Sequence, residues 1–273
     1  MIKKVGSTFL VAILLVAMLL ASGGCGRNGG TPPINPADKQ QVTITLYFAD
    51  QQAQHVIPED RVVKQGTEST AELVVRELMA GPVDPYLHRT IPAGVQLLSV
   101  EVNEGIAYVN FSRELQENLA GGSASEMMMI ESLLYSLTEL EEVNKVQILI
   151  AGARQEVLAG HVSIMEPFAR HGIKTYPIFL DAQRARYLQE RVEDGQETWR
   201  LDPVEVAKRD GRMLGFTGAD DFELVTLTPK SGSSGTAEAM VRATHGGQSY
   251  LLQLIQPVSA DGIWMLNGIQ EEV

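Results

Sequence analysis

Between residues 41 and 166 the hydrophobic period changes twice from two residues to about 3.6, each time behind a serine followed three residues later by a glutamate. Residues 42–48 are rich in β-branched and aromatic side chains and read as a strand, with a weaker strand over 56–64 after Pro58. Residues 67–80 then place Ala71, Val74, Val75 and Leu78 on one helical face. Ser69 and Glu72 form the capping box at its start, and Gly81-Pro82 stops it. Residues 95–102 and 106–111 are a hairpin turning at Asn103-Glu104-Gly105. Residues 112–120 read as an irregular or single-turn segment. Ser123 and Glu126 mark a second capping box, and Met127, Ile130, Leu134 and Leu137 form the apolar stripe behind it, with Leu133 and Leu140 beside it. Residues 146–150 are the next strand. A chain that alternates strands and capped helices this way reads as two helices packed on a sheet.

A second unit follows a boundary expected at 166–174. Residues 181–192 suit a helix capped by Asp181, with Ala185, Leu188 and Val192 facing inward. Asp202 and Pro203 open another, with Val206, Met213 and Leu214 as inner positions and Gly215 as its end. Segments 222–228, 236–245, 248–256 and 263–269 read as antiparallel strands. The fold class is therefore α+β in two domains: 41–166 with two helices and a mixed sheet, and 175–273 with helices and an antiparallel sheet, a cystatin- or NTF2-like arrangement being the expectation for the latter.

Ahead of both units, two lysines precede an apolar run over 9–21, then Ser22, Gly23, Gly24 and Cys25. A basic start, a short apolar stretch and small residues describe a secretory signal over 1–25. The run is short for a permanent membrane span, though an uncleaved anchor is the alternative. Cys25 is the single cysteine, so no internal disulfide exists. Its position resembles a bacterial lipobox, which implies diacylation of Cys25 and tethering to the outer face of the cytoplasmic membrane. Ser22 stands where that box usually has leucine, so cleavage by an ordinary signal peptidase and secretion remain the other reading. Residues 26–40, rich in glycine and proline, form a tether. The formal charge is −12, and −14 once Lys3 and Lys4 leave with the signal. Such a chain is repelled by nucleic acid and by anionic lipid, so no nucleic-acid partner is expected and a membrane contact must come through the lipid anchor.

No residue pattern here names a catalytic site. Ser123 has a sufficient structural role as a helix cap, worth about 1 kcal/mol. No G-x-S-x-G elbow occurs, and His88 and His161 stand alone in loops. His55, His88, His161, His171 and His245 show no zinc spacing, so no metal and no cofactor are expected. Asp220, Asp221 and Glu223 do not match a calcium loop and read as an acidic turn. Aromatic residues are 6% of the chain, which leaves only Tyr86, Tyr187 and Trp199 for a glycan platform.

Several pieces in order carry a family resemblance: Glu77-Leu78-Met79-Ala80-Gly81-Pro82, Ile91-Pro92-Ala93-Gly94-Val95, Ala107-Tyr108-Val109-Asn110-Phe111-Ser112, Ser136-Leu137-Thr138-Glu139-Leu140, then 143–152 and Leu158-Ala159-Gly160. Residues 41–166 resemble the GerM domain, named for a sporulation and germination lipoprotein of endospore-forming bacteria. Ser136 stands where that family often has threonine. The resemblance implies a fold similar to ring-building domains of the mother-cell-to-forespore channel, and it implies no catalytic residues. The expected function is a non-enzymatic, membrane-tethered docking or assembly module of sporulation or germination. Its expected partners are other cell-envelope proteins, with homo-oligomers possible. The alternatives are a peptidoglycan- or glycan-binding module and a cell-wall hydrolase.

Overall fold

Strand β1 (Gln41–Ala49) and strand β2 (Val56–Lys64) pair antiparallel over nine residues as a two-stranded ribbon, in the register Tyr47↔Pro58 and Ala49↔Val56. The ribbon belongs to a computed structural model that describes residues 41–229, 236–259 and 261–272. The signal, Cys25 and the tether over 26–40 lie outside the described residues. Pro58 does not shorten β2, because the N–H it lacks would have pointed away from β1.

Helix α1 (Thr70–Ala80) begins at Ser69, whose Oγ accepts the Glu72 N–H at 3.1 Å. The Glu72 carboxylate turns to Arg76 one helical turn on, so the predicted box is half formed. Gly81 ends the helix at φ 91°, a conformation that favours glycine. Strands β3 (Leu97–Asn103) and β4 (Ile106–Phe111) form the predicted hairpin, with Glu104 and Gly105 both at positive φ. After a single-turn helix α2 (Glu114–Asn118), helix α3 (Gly122–Leu137) leads to β5 (Lys145–Ile150), which lies parallel to β4. The two-residue strand β6 (Phe168–Ala169) completes the sheet in the order β3-β4-β5-β6.

Helix α3 packs against β1, α1 and β5. It is therefore buried on most of its circumference, and Met129 points inward while Met127 of the predicted stripe is 40% exposed. Helix α3 docks on β1 and on the segment at Thr90 through hydroxyls as well as apolar contact. Ser132 Oγ donates to the Tyr47 carbonyl, Ser136 Oγ accepts the Tyr47 N–H at 2.9 Å and donates to the Ser132 carbonyl at 2.7 Å, and Thr90 joins Ser132 at 2.7 Å. Ser136→Ala leaves the buried Tyr47 N–H without a partner. The expected loss is about 1–3 kcal/mol, read as a lower urea midpoint at unchanged m-value.

Residues 166–174 are not a free linker. Arg170 donates to the Tyr135 carbonyl, the Thr138 hydroxyl and Glu139, and Lys174 pairs with Glu131 at 2.8 Å. Helix α4 (Ala182–Glu193) is capped by Asp181, which accepts from the Gln183 and Arg184 N–H groups, and it buries the predicted Ala185, Leu188 and Val192. Helix α5 (Pro203–Asp210) is capped by Asp202 with Pro203 in its first turn. Strands β7 (Asp221–Thr228), β8 (Glu238–His245), β9 (Gln248–Ile255) and β10 (Met265–Glu271) follow as an antiparallel meander, against which α5 packs. The β1-β2 ribbon and strands β3 to β5 fall within 41–166, β6 joins their sheet from beyond that bound, and the meander falls within 175–273. One continuous apolar core nevertheless runs from Ile44 in β1 through α3 to Val206 in α5 and Leu266 in β10.

Candidate functional site

The Gly121–Glu126 turn departs from its sequence reading. The helix starts at Gly122, with Gly121 at φ 108° as the residue before it and no side-chain cap. Ser123 is already inside the helix and exposed, so it is not a cap, and Glu126 does not close a box with it. The glycine pair makes this possible: both residues have positive φ, and a Cβ on Gly121 would sit 2.9 Å from Ser125 Oγ. Ser125 Oγ lies 2.6 Å from the Ala120 carbonyl and 3.1 Å from that of Gly122, and it donates there.

Glu126 turns inward instead. It is 1% exposed, and its carboxylate accepts the Val162 N–H at 2.8 Å, the His161 N–H at 3.3 Å and His161 Nδ1 at 2.7 Å. Burial alone would raise the Glu126 carboxyl. The Val162 N–H, the His161 ring and the N–H groups of Ala159 and His161 outweigh it and hold the group below the usual carboxylate range. His161 thus does approach the turn, but its partner is a glutamate. Among the described residues no hydrogen bond joins it to Ser123 or Ser125, so the geometry of a serine nucleophile and its base is not made here.

Two of the concave surfaces among the described residues are large enough to weigh as sites. The first is a cleft of about 220 Å³ between β2 and the α4–α5 region. Its walls are ion pairs: Arg61 with Glu59 and Glu77, Arg184 with Asp84, Arg191 with Glu197, and Arg200 with Glu197 and Asp210. Tyr187 and Trp199 line it, and Tyr86 packs on Tyr187 with centroids 5.6 Å apart. The three spare aromatics of the sequence therefore converge. The Trp199 ring already has cations on it: the Arg200 and Arg209 guanidiniums lie 4.2 and 4.8 Å from its centroid, and they compete with a sugar for that ring.

The second is a groove of about 690 Å³ between the free side of β1, the end of α3 and the segment from α5 to the start of β7. Thr43 and Thr45 form one wall, and Arg212 Nη1 reaches Thr45 Oγ1 at 3.2 Å across it. Asp220 belongs to the opposite wall. It accepts the Thr217 N–H at 2.6 Å and meets His245 Nδ1 at 2.9 Å, so the acidic turn serves the local fold and His245 is a paired residue rather than a bare turn residue. Among the described residues no cluster of three or more His, Cys, Asp or Glu is placed to hold a metal ion. No helix among them is long and apolar enough to cross a membrane.

Residues 45–156 match the family model described as Germane, sporulation and spore germination. No curated protein matches the chain. Among solved structures, the tandem GerMN domains of the sporulation protein GerM from Bacillus subtilis are 18% identical, over 52% of this chain and 49% of that one, with a TM-score of 0.42. The chain thus spans about half the length of that tandem structure. The first GerMN domain of the same protein is 22% identical over 47% of this chain and 98% of that one, at a TM-score of 0.41. A Clostridium perfringens protein, itself only provisionally assigned as a lipoprotein, is 24% identical over 48% and 88%, at 0.35.

Proposed function

We propose, from the match of residues 45–156 to the family model described as Germane, sporulation and spore germination, that this chain is a docking or assembly module working outside the cytoplasmic membrane. The family match is the observation that carries the reading. The sequence supports the location: a basic start, an apolar run over 9–21 and the lone Cys25 behind small residues suit a diacylated anchor, whose two chains hold stably where one would not. The occupied hydroxyl of Ser125 and the pairing of His161 with Glu126 favour a role without catalysis. Its partners are then other cell-envelope proteins.

The test is deletion in a spore-forming host, scored for spore yield and germination. The expected result is a defect in one of them, restored by the wild-type allele and not by Cys25→Ser, whose product leaves the membrane or stays unprocessed. Normal sporulation and germination, together with purified protein that cleaves muropeptides, would replace the docking role with a hydrolase.

A further inference from the structure

The open edge of β1 is where the geometry places a partner strand. In an antiparallel pair the N–H and C=O of one residue point the same way, and successive residues alternate. Tyr47 sends both groups away from β2, to Ser136 and Ser132 of α3. Ala49 does the same, exchanging both bonds with His88 at 3.1 and 2.8 Å. Pro58, opposite Tyr47, confirms the parity, since a ladder bond there would need the N–H that proline lacks. By the same alternation the N–H and C=O of Thr43 and Thr45 face away from β2, into the groove. Among the described residues they have no backbone partner.

Other outer strands are blunted in the ways that protect edges. Pro58 interrupts the outward row of β2, and β3, β7 and β10 each carry a bulge or register shift. The pairing of β1 has none. β1 is thus a regular edge that is closed at Tyr47 and Ala49 by its own fold and left open at Thr43 and Thr45.

Charge selects the occupant. The three cations lining the groove are already held: Arg209 by Asp60 at 2.9 Å, Arg212 by Glu139 at 3.3 Å and Lys208 by Glu205 at 3.0 Å. Asp221, on the far wall, is exposed and makes no ion pair among the described residues. The chain as a whole carries −12. We infer that the groove binds an extended, lysine- or arginine-bearing segment of a partner protein, which adds to β1 as a strand through Thr43 and Thr45 with its cations facing Asp221. A second copy brings the same negative charge, and the tether over 26–40 brings Pro32, Pro33 and Pro36, three residues without an N–H to donate.

The inference rests on the docking reading above, and its test separates the two. The probe is an acetylated and amidated eight-residue peptide alternating valine and lysine, against one alternating valine and glutamate. Residue-resolved hydrogen exchange is followed on the full chain in detergent. The lysine peptide should slow exchange at the Thr43 and Thr45 amides by about tenfold or more at low salt, with the effect fading at high salt. Thr43→Pro removes one outward donor and spares the β2 ladder, so it should weaken peptide binding by about tenfold. Asp221→Lys should weaken it comparably and leave the edge intact. No protection at these amides, or equal protection by the glutamate peptide, overturns the inference. So does protection that rises with protein concentration alone, which assigns the edge to a second copy. Protection already present in the free chain and lost on deleting 26–40 assigns it to the tether and overturns it as well. In the deletion host, a Thr43→Pro allele that restores sporulation or germination fully removes this groove as the joint and leaves the docking role standing. A deletion without any defect removes the docking role itself.

Discussion

Arg200→Leu should lower stability by about 3–5 kcal/mol, because it removes the cation at the centre of a buried charge cluster. Arg200 is 3% exposed. Its Nε donates to Glu197 at 2.8 Å and its Nη1 to Asp210 at 3.0 Å, while its carbonyl accepts the Trp264 N–H at 2.7 Å. Burial alone would lower the arginine's pKa, but Asp210 and Glu197 outweigh it and the net shift is upward. Glu197 is the mirror case: burial would raise it, and Arg200 and Arg191 hold it below the usual range. The variant leaves Asp210 buried without its partner, and that residual charge is the larger part of the cost. Adding Asp210→Asn to Arg200→Leu should therefore recover part of the loss, since neutralising the orphan removes the penalty. Thermal unfolding and urea titration of the three proteins check this. Equal stability of Arg200→Leu and wild type would show that water replaces the guanidinium and that the cluster is not closed.

That cluster was invisible in the sequence, and the reason is physical. Glu197, Arg200 and Asp210 lie near one another in the chain, but charged residues at such spacing read equally well as a solvated face. Their burial depends on segments that meet only in the fold: Arg191 of α4 pairs with Glu197, and Trp264 donates to the Arg200 carbonyl. Local chemistry was legible where the partner is local. Ser69, Asp181 and Asp202 cap the helices expected of them, because a cap reaches only two or three residues. The Glu104-Gly105 turn likewise follows from its own backbone. The Ser123–Glu126 box has the same letters and fails. Two glycines at positive φ let the helix begin two residues early, and the loop at His161 and Val162 offers Glu126 better donors than Ser123 does. In α3 the helical period was read correctly and Ile130, Leu133, Leu134 and Leu137 of the predicted face are buried, while Met127 is exposed and Met128, Met129 and Tyr135 outside that face are buried too. A helix packed on β1, α1 and β5 together has almost no outer face for a pattern to mark. The edge of β1 was partly written in the sequence: Pro58 inside a strand fixes which residues point outward, once its pairing to Tyr47 is known.

Glu126→Leu should cost about 3 kcal/mol at neutral pH, with a pH dependence that a purely steric change would not produce. Leucine leaves the N–H groups of His161 and Val162 without the carboxylate that now accepts both. The loop they belong to also brings Leu158 and Ile164, both fully buried, onto the core, so freeing it uncovers apolar surface. The sign of the pH effect follows from the direction of the shift. The Glu126 carboxyl is held below its ordinary value in the folded chain, so the folded state binds its proton less readily than the unfolded state does. Its contribution is complete above the unfolded carboxyl pKa of about 4.3 and is lost as the pH falls through the lower folded value. The stability gap between wild type and Glu126→Leu, measured by urea unfolding, should be flat from neutral pH to about pH 5 and narrow below about 4.3. A gap that stays constant to low pH would mean that the carboxylate's charge contributes nothing and that only the shape of the side chain holds the loop. Glu126→Gln separates these further. It keeps an acceptor oxygen for Val162 and loses the charge, so it should fall between the two proteins at neutral pH and approach wild type in acid.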